Sequence, residues 1–283
     1  MQKKVLVTGA GGYIGQHVVT ALCDFGAEVT GVGRHLESLD PRAKIIKRDI
    51  FDGDKDIFVS LGSPDVCIHM AWNDGFVHNS DAHMGNLSAH YRFIRDMTDG
   101  GLKQLAVMGT MHEVGYWEGA IDENTPCNPI SMYGIAKDAL RRSTFLMLQD
   151  KDVCLQWLRA YYIYGDDTRA VSIFGKILQA AQSGQTHFPF TTGKNLYDFI
   201  HVDELAKQIA AAAMQTEVDG IINCCSGTPM SLAEKIESYI KEHELNITLD
   251  YGRYPDRPYD SPGVWGNAEK INLIMAHSLY NGK

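Results

Sequence analysis

The sequence lacks an excess of positive charge, a paired-cysteine motif and a long hydrophobic run. Its formal net charge is −9; nucleic acids and anionic membrane surfaces require clustered positive charge, so we expect neither as a partner. The six cysteines form no C-x-x-C motif, and Cys224 and Cys225 are adjacent, so we expect buried free thiols in a reducing cytosol and no metal site. No stretch approaches the length of a membrane span, and residues 1–8 lack the apolar run of a signal peptide. We therefore expect a cytoplasmic protein.

Short apolar runs alternate with helical patterns along the first half of the chain. The predicted strands are 3–8, 28–33, 43–50, 65–72, 104–110 and 153–160, and the longest predicted helices are about 80–99 and 131–149. Continuous apolar strands separated by helices indicate an α/β fold with a doubly wound parallel sheet, covered on both faces. Beyond residue 161 the pattern loosens, with helices expected near 171–183, 202–215 and 230–243.

These patterns predict two structural units in a chain of 283 residues. We expect a dinucleotide-binding domain over 1–160 plus about 202–223. A smaller C-terminal substrate lobe would then comprise about 161–201 plus 224–283. Such a lobe would lie on the carboxyl edge of the sheet, where ligands of open α/β sheets bind.

A glycine-rich segment, VTGAGGYIGQH, links the first predicted strand to the first helix. Gly9 permits a tight turn, Gly12 lets the backbone approach a pyrophosphate, and Gly15 allows helix and strand to pack closely. The helix then begins at Tyr13 and Ile14, where its N-terminus supplies partial positive charge for a phosphate. The alternative interpretation is an ordinary glycine-bearing connection, but the strand-to-helix context favours a dinucleotide site.

The end of the second strand discriminates between nicotinamide cofactors. An acidic residue there would bind the ribose 2′-hydroxyl of NAD, but this strand is followed by Arg34, with no carboxylate before Glu37. Arg34 is suited to the 2′-phosphate of NADP, so the sequence favours NADP and leaves NAD possible. Asp49 and Ile50, after the third strand, are expected at the adenine.

Tyr133 and Lys137 lie four residues apart in a predicted helix that opens with NPIS. On a helix, positions i and i+4 share one face, so the phenol and the ammonium can reach the same point in space. By itself this spacing is common, and two polar residues on a solvated face would show it too.

The ordered set Gly9-x-x-Gly12-x-x-Gly15, Thr110, Tyr133 and Lys137 resembles the extended short-chain dehydrogenases/reductases, the NAD(P)-dependent epimerases, dehydratases and reductases of nucleotide sugars. The other matching segments are RDIFD (48–52), HMA (69–71), GN (85–86), LRAYYIYG (158–165), YDFIHVDELA (197–206), INCCSGTPMSL (222–232) and DRPYDSPGVWGNAEKI (256–271). The resemblance covers nearly the whole chain and implies a Rossmann-like fold.

The resemblance also implies roles for individual residues. Tyr133 would be the general acid/base, Lys137 would bind the nicotinamide ribose, and Thr110 would position the reacting carbonyl. Met70 and Ala71 would lie beside the cofactor. A free phenol has a pKa near 10, and we expect the charge of Lys137 to lower it towards neutrality.

Departures from the family pattern narrow the chemistry. In the family's 4,6-dehydratases the Thr precedes Asp-Glu, and here Met111 and His112 occupy those places, which argues against water elimination. His112 is either an additional acid/base or an uninvolved loop residue. We expect it, with Trp72 and Thr110, to line the substrate site.

The substrate lobe departs from the family as well. Tyr197 stands where many relatives have an Arg that binds the pyrophosphate, and Tyr162 stands where many have Asn. Arg257 is retained and is our candidate for the diphosphate, because its planar fork suits that group. Tyr162 and Tyr197 either pack in the interior or line the substrate pocket.

The function we favour is an NADP-dependent reductase or dehydrogenase that acts at C4 of a nucleotide-linked 4-keto-6-deoxyhexose. The alternative is a nucleotide-sugar 4-epimerase with tightly bound NAD. A reductase of a non-nucleotide carbonyl and a non-catalytic NADP sensor are lesser alternatives. The resemblance further implies a homodimer formed by the two longest helices.

Overall fold

The alternating apolar runs of the first half form one seven-stranded parallel sheet in the computed structural model, which describes residues 2–165, 172–256 and 260–281. The strands of this sheet, in chain order, are β1 (Lys4–Thr8), β2 (Glu28–Gly33), β3 (Lys44–Lys47), β4 (Val66–His69), β5 (Gln104–Thr110), β7 (Cys154–Ala160) and β11 (Gly220–Cys224). Their order across the sheet is β11-β7-β5-β4-β1-β2-β3. The chain changes direction across the sheet between β1 and β4, which opens a crevice at their carboxyl ends.

Helices cover both faces of this sheet. They are α1 (Tyr13–Asp24), α2 (Ile57–Ser60), α3 (Ala82–Gly85), α4 (Leu87–Asp99), α5 (Met132–Leu148), α7 (Val202–Ala213) and α9 (Glu269–Asn281). Two further helices, α6 (Ile173–Gln182) and α8 (Leu232–Glu242), pack together in a separate hydrophobic core. Alternate residues of β1 enter different cores: Val5 and Val7 pack with α1, α7 and α9, whereas Leu6 packs with α4 and α5. The predicted doubly wound, Rossmann-like α/β fold is confirmed.

The predicted helix over 80–99 is wrong in one detail, because it is broken at Asn86. Asn86 has φ −95° and ψ −7° and stands between α3 and α4. Gly85 and Asn86 are both poor helix formers, and their succession ends one helix and begins the next. His83 and His90 are buried on either side of this break.

Further strands build a second layer of structure beyond the carboxyl edge of the main sheet. They are β6 (Gly119–Ile121), β8 (Tyr162–Tyr164), β9 (His187–Pro189), β10 (Leu196–His201), β12 (Pro229–Ser231), β13 (Thr248–Asp250) and β14 (Gly263–Gly266). The order β12-β10-β14-β6 forms one sheet with β8 also paired to β10, and β13 pairs with β9. The division of the chain into the two predicted units stays a prediction.

The six cysteines are free thiols, as the sequence predicts, but the expectation that they are buried is confirmed for three only, since Cys23, Cys127 and Cys154 are half-buried. Across the described parts of the chain, none of the helices combines the length and the apolar character needed to cross a bilayer. Within those same parts, no group of three or more His, Cys, Asp or Glu side chains is arranged to hold a metal ion.

Candidate active site

The glycine-rich loop between β1 and α1 forms a cradle that only glycine can build. Gly9 adopts φ +67°, and the Gly12 amide donates to the Gly9 carbonyl at 3.0 Å to close the turn. A Cβ at Gly15 would lie 2.3 Å from the Gly9 carbonyl oxygen. Gly12 is the N-cap of α1 and has no side chain to cap the helix, so the loop fits the phosphates of a dinucleotide.

Gly11 is a further constraint on this loop that the sequence analysis missed. A Cβ there would lie 1.5 Å from the carbonyl oxygen of His35. The segment after β2 therefore presses against the glycine loop and brings Arg34 to its side. The Gly11-Gly12 pair is a signal in the sequence, but a chain position alone does not indicate which backbone approaches it.

The residues predicted to contact the adenosine end lie at the carboxyl ends of β2 and β3. Arg34 is exposed and donates to Asn73 Oδ1 at 3.4 Å. Asp49 is exposed, its Oδ1 accepts from the Phe51 amide at 3.0 Å, and Ile50 is buried.

The end of β4 is fixed against β1 by hydrogen bonds. Thr8 Oγ1 accepts from the Met70 amide at 3.1 Å and from the Ala71 amide at 3.2 Å. It therefore donates its own proton to His69 Nδ1, 2.9 Å away, and His69 Nε2 in turn contacts His90 Nδ1 at 2.9 Å. Burial lowers the pKa of His69 far below its usual value and that of His90 to about 3, so this buried pair stays neutral and holds the crevice wall.

Thr110, Tyr133 and Lys137 come together at the carboxyl end of β5. Ser131 caps α5 by accepting from the Gly134 amide at 3.1 Å, which sets Tyr133 in the first turn. The Thr110 hydroxyl lies on the side of the Tyr133 phenol and acts to lower its pKa. Lys137 Nζ lies 6.0 Å from the centroid of the Tyr133 ring.

Lys137 is buried, and its ammonium group contacts a carbonyl and an indole. Nζ donates to the Met108 carbonyl at 2.8 Å and lies 3.8 Å from the centroid of the Trp72 indole, a cation–π contact. Burial lowers the pKa of Lys137, and the charge of Glu113 partly offsets this.

The expected lowering of the Tyr133 pKa by Lys137 is wrong for the protein alone. Burial raises the pKa of Tyr133, the charge of Glu113 raises it further, and only the Thr110 hydroxyl acts in the opposite direction. The cause is the enclosed position of the phenol, together with a lysine whose own positive charge is disfavoured by burial.

Histidines form a wall around the Tyr133 ring. His78 stacks on it with ring centroids 5.6 Å apart, His83 lies 5.3 Å away and His112 6.1 Å away. His112 was predicted here, whereas His78 and His83 were missed. Burial lowers the pKa of His78 and brings that of His112 to about 4, so both rings are neutral near pH 7 and offer hydrogen bonds without charge.

Trp72, another predicted site residue, is oriented by His83. The indole Nε1 donates to His83 Nδ1 at 3.0 Å, so His83 carries its proton on Nε2 and donates to the Val77 carbonyl at 2.9 Å. The loop between β4 and α3, which carries Trp72 and His78, is attached to α5, because the Tyr133 amide donates to the His78 carbonyl at 2.8 Å.

Tyr162 and Tyr197 lie together in the second sheet, with ring centroids 4.2 Å apart. Tyr197 is buried at 8% exposure and Tyr162 is half-buried. Tyr197 therefore packs in the interior, which is one of its two predicted roles. Tyr162 retains some exposed surface. Arg257 lies outside the described residues.

This fold and this site define a dinucleotide-dependent α/β enzyme with a Thr/Tyr/Lys centre, and comparison with known proteins identifies the family. The model of the NAD dependent epimerase/dehydratase family matches residues 5–225. A dTDP-6-deoxy-L-talose 4-dehydrogenase (NAD(+)) from Aggregatibacter actinomycetemcomitans is 43% identical over 267 residues, which cover 93% of this chain and 98% of that protein. The chain belongs to the NAD dependent epimerase/dehydratase family.

Solved structures show the same fold. The UDP-N-acetylglucosamine 4-epimerase of Methanobrevibacter ruminantium M1, in complex with UDP-N-acetylmuramic acid, has a TM-score of 0.83 at 22% identity, covering 96% of this chain and 92% of that one. The UDP-glucuronic acid 4-epimerase of Bacillus cereus, in complex with UDP-glucuronic acid and NAD, has a TM-score of 0.79 at 21% identity, covering 96% and 93%. The predicted family resemblance is thereby confirmed, and the chain is an enzyme whose cofactor is a nicotinamide dinucleotide.

Proposed function

We propose that the chain is a nucleotide-sugar 4-dehydrogenase that interconverts the C4 hydroxyl and the C4 ketone of a nucleotide-linked 6-deoxyhexose. The observation that carries this proposal is its 43% identity, over almost the full length of both chains, to a protein named as a dTDP-6-deoxy-L-talose 4-dehydrogenase. The substrate class would then be a dTDP-linked 6-deoxyhexose and its 4-keto counterpart.

In this proposal the chain moves the proton, and a bound nicotinamide supplies or accepts the hydride. Thr110 donates a hydrogen bond to the reacting oxygen, which gains charge during reduction. Tyr133 gives that oxygen its proton during reduction and removes it during oxidation. Lys137 binds the nicotinamide ribose hydroxyls. The effect of the Thr110 hydroxyl on the pKa of Tyr133 supports a shared position for the substrate oxygen.

The other predicted contacts follow from their places in the crevice. The glycine loop would hold the pyrophosphate, with Asp49 and Ile50 at the adenine and Met70 and Ala71 beside the nicotinamide half. Trp72, His112 and Tyr162 would face the sugar. Tyr197 would support Tyr162 by the ring contact described above. Arg257 is proposed for the diphosphate on its sequence alone.

A direct spectrophotometric assay with the nucleotide sugar and the oxidised cofactor tests the reaction. Incubation of the chain with dTDP-6-deoxy-L-talose and oxidised cofactor should raise the absorbance of reduced nicotinamide in proportion to sugar consumed. A 4-epimerase, the reaction named for the structural relatives, would convert the sugar without that rise. Sugar conversion with no net cofactor reduction would therefore replace the dehydrogenase proposal with the epimerase.

The choice between NADP and NAD depends on Arg34. An exposed guanidinium at the end of β2, whose hydrogen bond within the described residues is a long 3.4 Å contact to Asn73, supports NADP. The name of the 43% identical relative, an NAD(+) enzyme, supports NAD. We retain NADP as the prediction from the residues of this chain, with NAD as its rival.

Arg34→Ala should weaken NADPH binding selectively. A charge-assisted hydrogen bond contributes on the order of 1.5–3 kcal/mol, or roughly tenfold to a hundredfold in affinity. NADH lacks the 2′-phosphate that makes this hydrogen bond, so the affinity for NADH should stay near its native value. Fluorescence titration of the native chain and the variant with each reduced cofactor measures this. An equal loss for both cofactors would show that Arg34 serves the adenosine instead, and tighter NADH binding by the native chain would overturn the NADP prediction.

We also propose a homodimer built from α4 and α5. Ile135 and Leu146 on α5 are 40% and 74% exposed, and Met84 in the neighbouring α3 is 45% exposed; an interface here would remove these apolar side chains from water. Sedimentation velocity at micromolar concentration should give about twice the monomer mass. Leu146→Glu should shift the distribution to monomer, whereas Leu273→Glu, at another exposed leucine on α9 (48%), should leave the dimer intact; a monomeric native chain would reject the proposal.

A further inference from the structure

Glu113 is a fully buried carboxylate in the turn that follows Thr110. Its exposure is 0%, and a charged group in that position is costly unless it is paired. Oε1 accepts from the Thr110 amide at 2.8 Å and from Trp157 Nε1 at 2.9 Å, and Oε2 accepts from the same indole at 3.0 Å. Two guanidinium groups approach Oε2, from Arg159 at 3.5 Å and Arg141 at 3.6 Å.

Each of these five contacts presents an N–H or a positive charge to the carboxylate. Burial raises the pKa of Glu113, and the charge of Arg159 is the largest effect that opposes it. A protonated carboxyl would direct its own proton against an N–H donor or a guanidinium. The surroundings therefore fit the negatively charged form.

The contacts of Glu113 join the three elements on which the proposed reaction depends. Thr110 ends β5, and Trp157 and Arg159 belong to β7. Arg141 extends the face of α5 that carries Tyr133 and Lys137, at successive i+4 positions. A change at Glu113 would thus alter the placement of Thr110 relative to the phenol.

We propose that Glu113 is a positioning residue for proton transfer: its hydrogen bond to the Thr110 amide fixes Thr110, and its buried carboxylate lies directly behind the turn that carries the Thr110 hydroxyl. A negative charge in that place opposes ionisation of the phenol, and the protonated phenol is the form required to donate a proton to a carbonyl oxygen during reduction. The inference rests on the proposed function in so far as Tyr133 is the acid/base there.

Other titratable groups of the described residues also lie around the phenol. They are the imidazoles of His78, His83 and His112 and the ammonium of Lys137. Burial lowers the pKa of His78 and His112, so these two imidazoles are neutral near pH 7. Among the residues that the structure describes, Glu113 is the charged group with the largest effect on the Tyr133 phenol.

Glu113→Gln tests the role of the charge, because glutamine keeps the shape and removes the negative charge. The ¹³Cζ resonance of Tyr133, identified among the 13 tyrosines by its absence in Tyr133→Phe, is followed with pH in labelled protein. Phenolate should appear in the Glu113→Gln variant at a pH lower by on the order of one unit than in the native chain. This readout requires no substrate turnover.

Trp157→Phe is the matched control, because it removes the indole N–H that both oxygens of the same carboxylate share and leaves the charge of Glu113. It should lower the melting temperature while the Tyr133 titration stays as in the native chain. Identical titrations of the native chain and the Glu113→Gln variant would overturn the proposal. That result would leave the sugar reaction untouched, whereas failure of the sugar assay alone would leave this titration unaffected.

Glu113→Asp tests the positioning of Thr110 separately from the effect of the charge. It also keeps the proposal testable if the Glu113→Gln variant does not fold. Aspartate keeps the charge but withdraws it by one methylene, so the Tyr133 titration should be retained. Displacement of Thr110 should lower kcat by about tenfold or more, with KM for the sugar changed less. A native kcat in this variant would contradict a positioning role.

Discussion

Tyr133→Phe is expected to lower kcat by about 10²–10⁴-fold and to change the cofactor dissociation constant by no more than about twofold. Phenylalanine retains the ring that packs against His78 and His83. It loses only the phenolic oxygen, which is the proposed acid/base. Steady-state kinetics with the dTDP-sugar and fluorescence titration with the reduced cofactor measure the two quantities.

Tyr251→Phe is the control for this substitution. Tyr251 is 45% exposed, and its hydroxyl donates to Glu237 at 2.5 Å, away from the crevice. The Tyr251→Phe variant also loses a phenolic oxygen, and its kcat should stay within about twofold of the native value. A Tyr133→Phe enzyme that keeps more than half of the native activity would remove Tyr133 from the mechanism.

Lys137→Met is expected to impair both cofactor binding and turnover. Methionine has a similar length and can keep the packing against Trp72, but it loses the ammonium that donates to the Met108 carbonyl. A lost charge-assisted hydrogen bond to the ribose corresponds to roughly tenfold to a hundredfold in affinity. Titration with reduced cofactor and single-turnover kinetics separate the two effects.

Lys103→Met controls for the removal of a lysine as such. Lys103 is on the surface and pairs with Asp152 at 3.0 Å, so its loss should leave affinity and rate near the native values. A purely kinetic effect of Lys137→Met, with unchanged cofactor affinity, would show that the ribose role is assigned wrongly.

The buried parallel strands were the part of the fold most accurately predicted from sequence. The predicted limits of β2 and β5 agree with the observed Glu28–Gly33 and Gln104–Thr110, since strands buried on both faces produce continuous apolar runs. The strands of the second layer were not predicted individually. Several of them span only three residues, too few for a periodic pattern.

The surroundings of Tyr133 could not be predicted, because they arise from contacts between distant segments. Glu113 and Trp157 are 44 residues apart in the chain and meet only after β5 and β7 pair. His78 reaches the phenol through a loop whose path the sequence does not indicate. The sequence identified the residue types of the centre, but the raised pKa of Tyr133 depends on burial and on Glu113.

Hydride transfer at C4 of a nucleotide sugar is tested most directly with dTDP-6-deoxy-L-talose that carries deuterium at C4. After incubation of the native chain with oxidised cofactor, mass spectrometry of the sugar and the nicotinamide product locates the label. Our proposal predicts one deuterium in the released reduced cofactor for each 4-keto sugar formed. Deuterium retained at C4 of a sugar with inverted configuration, and none in the cofactor, would contradict it and identify an epimerase.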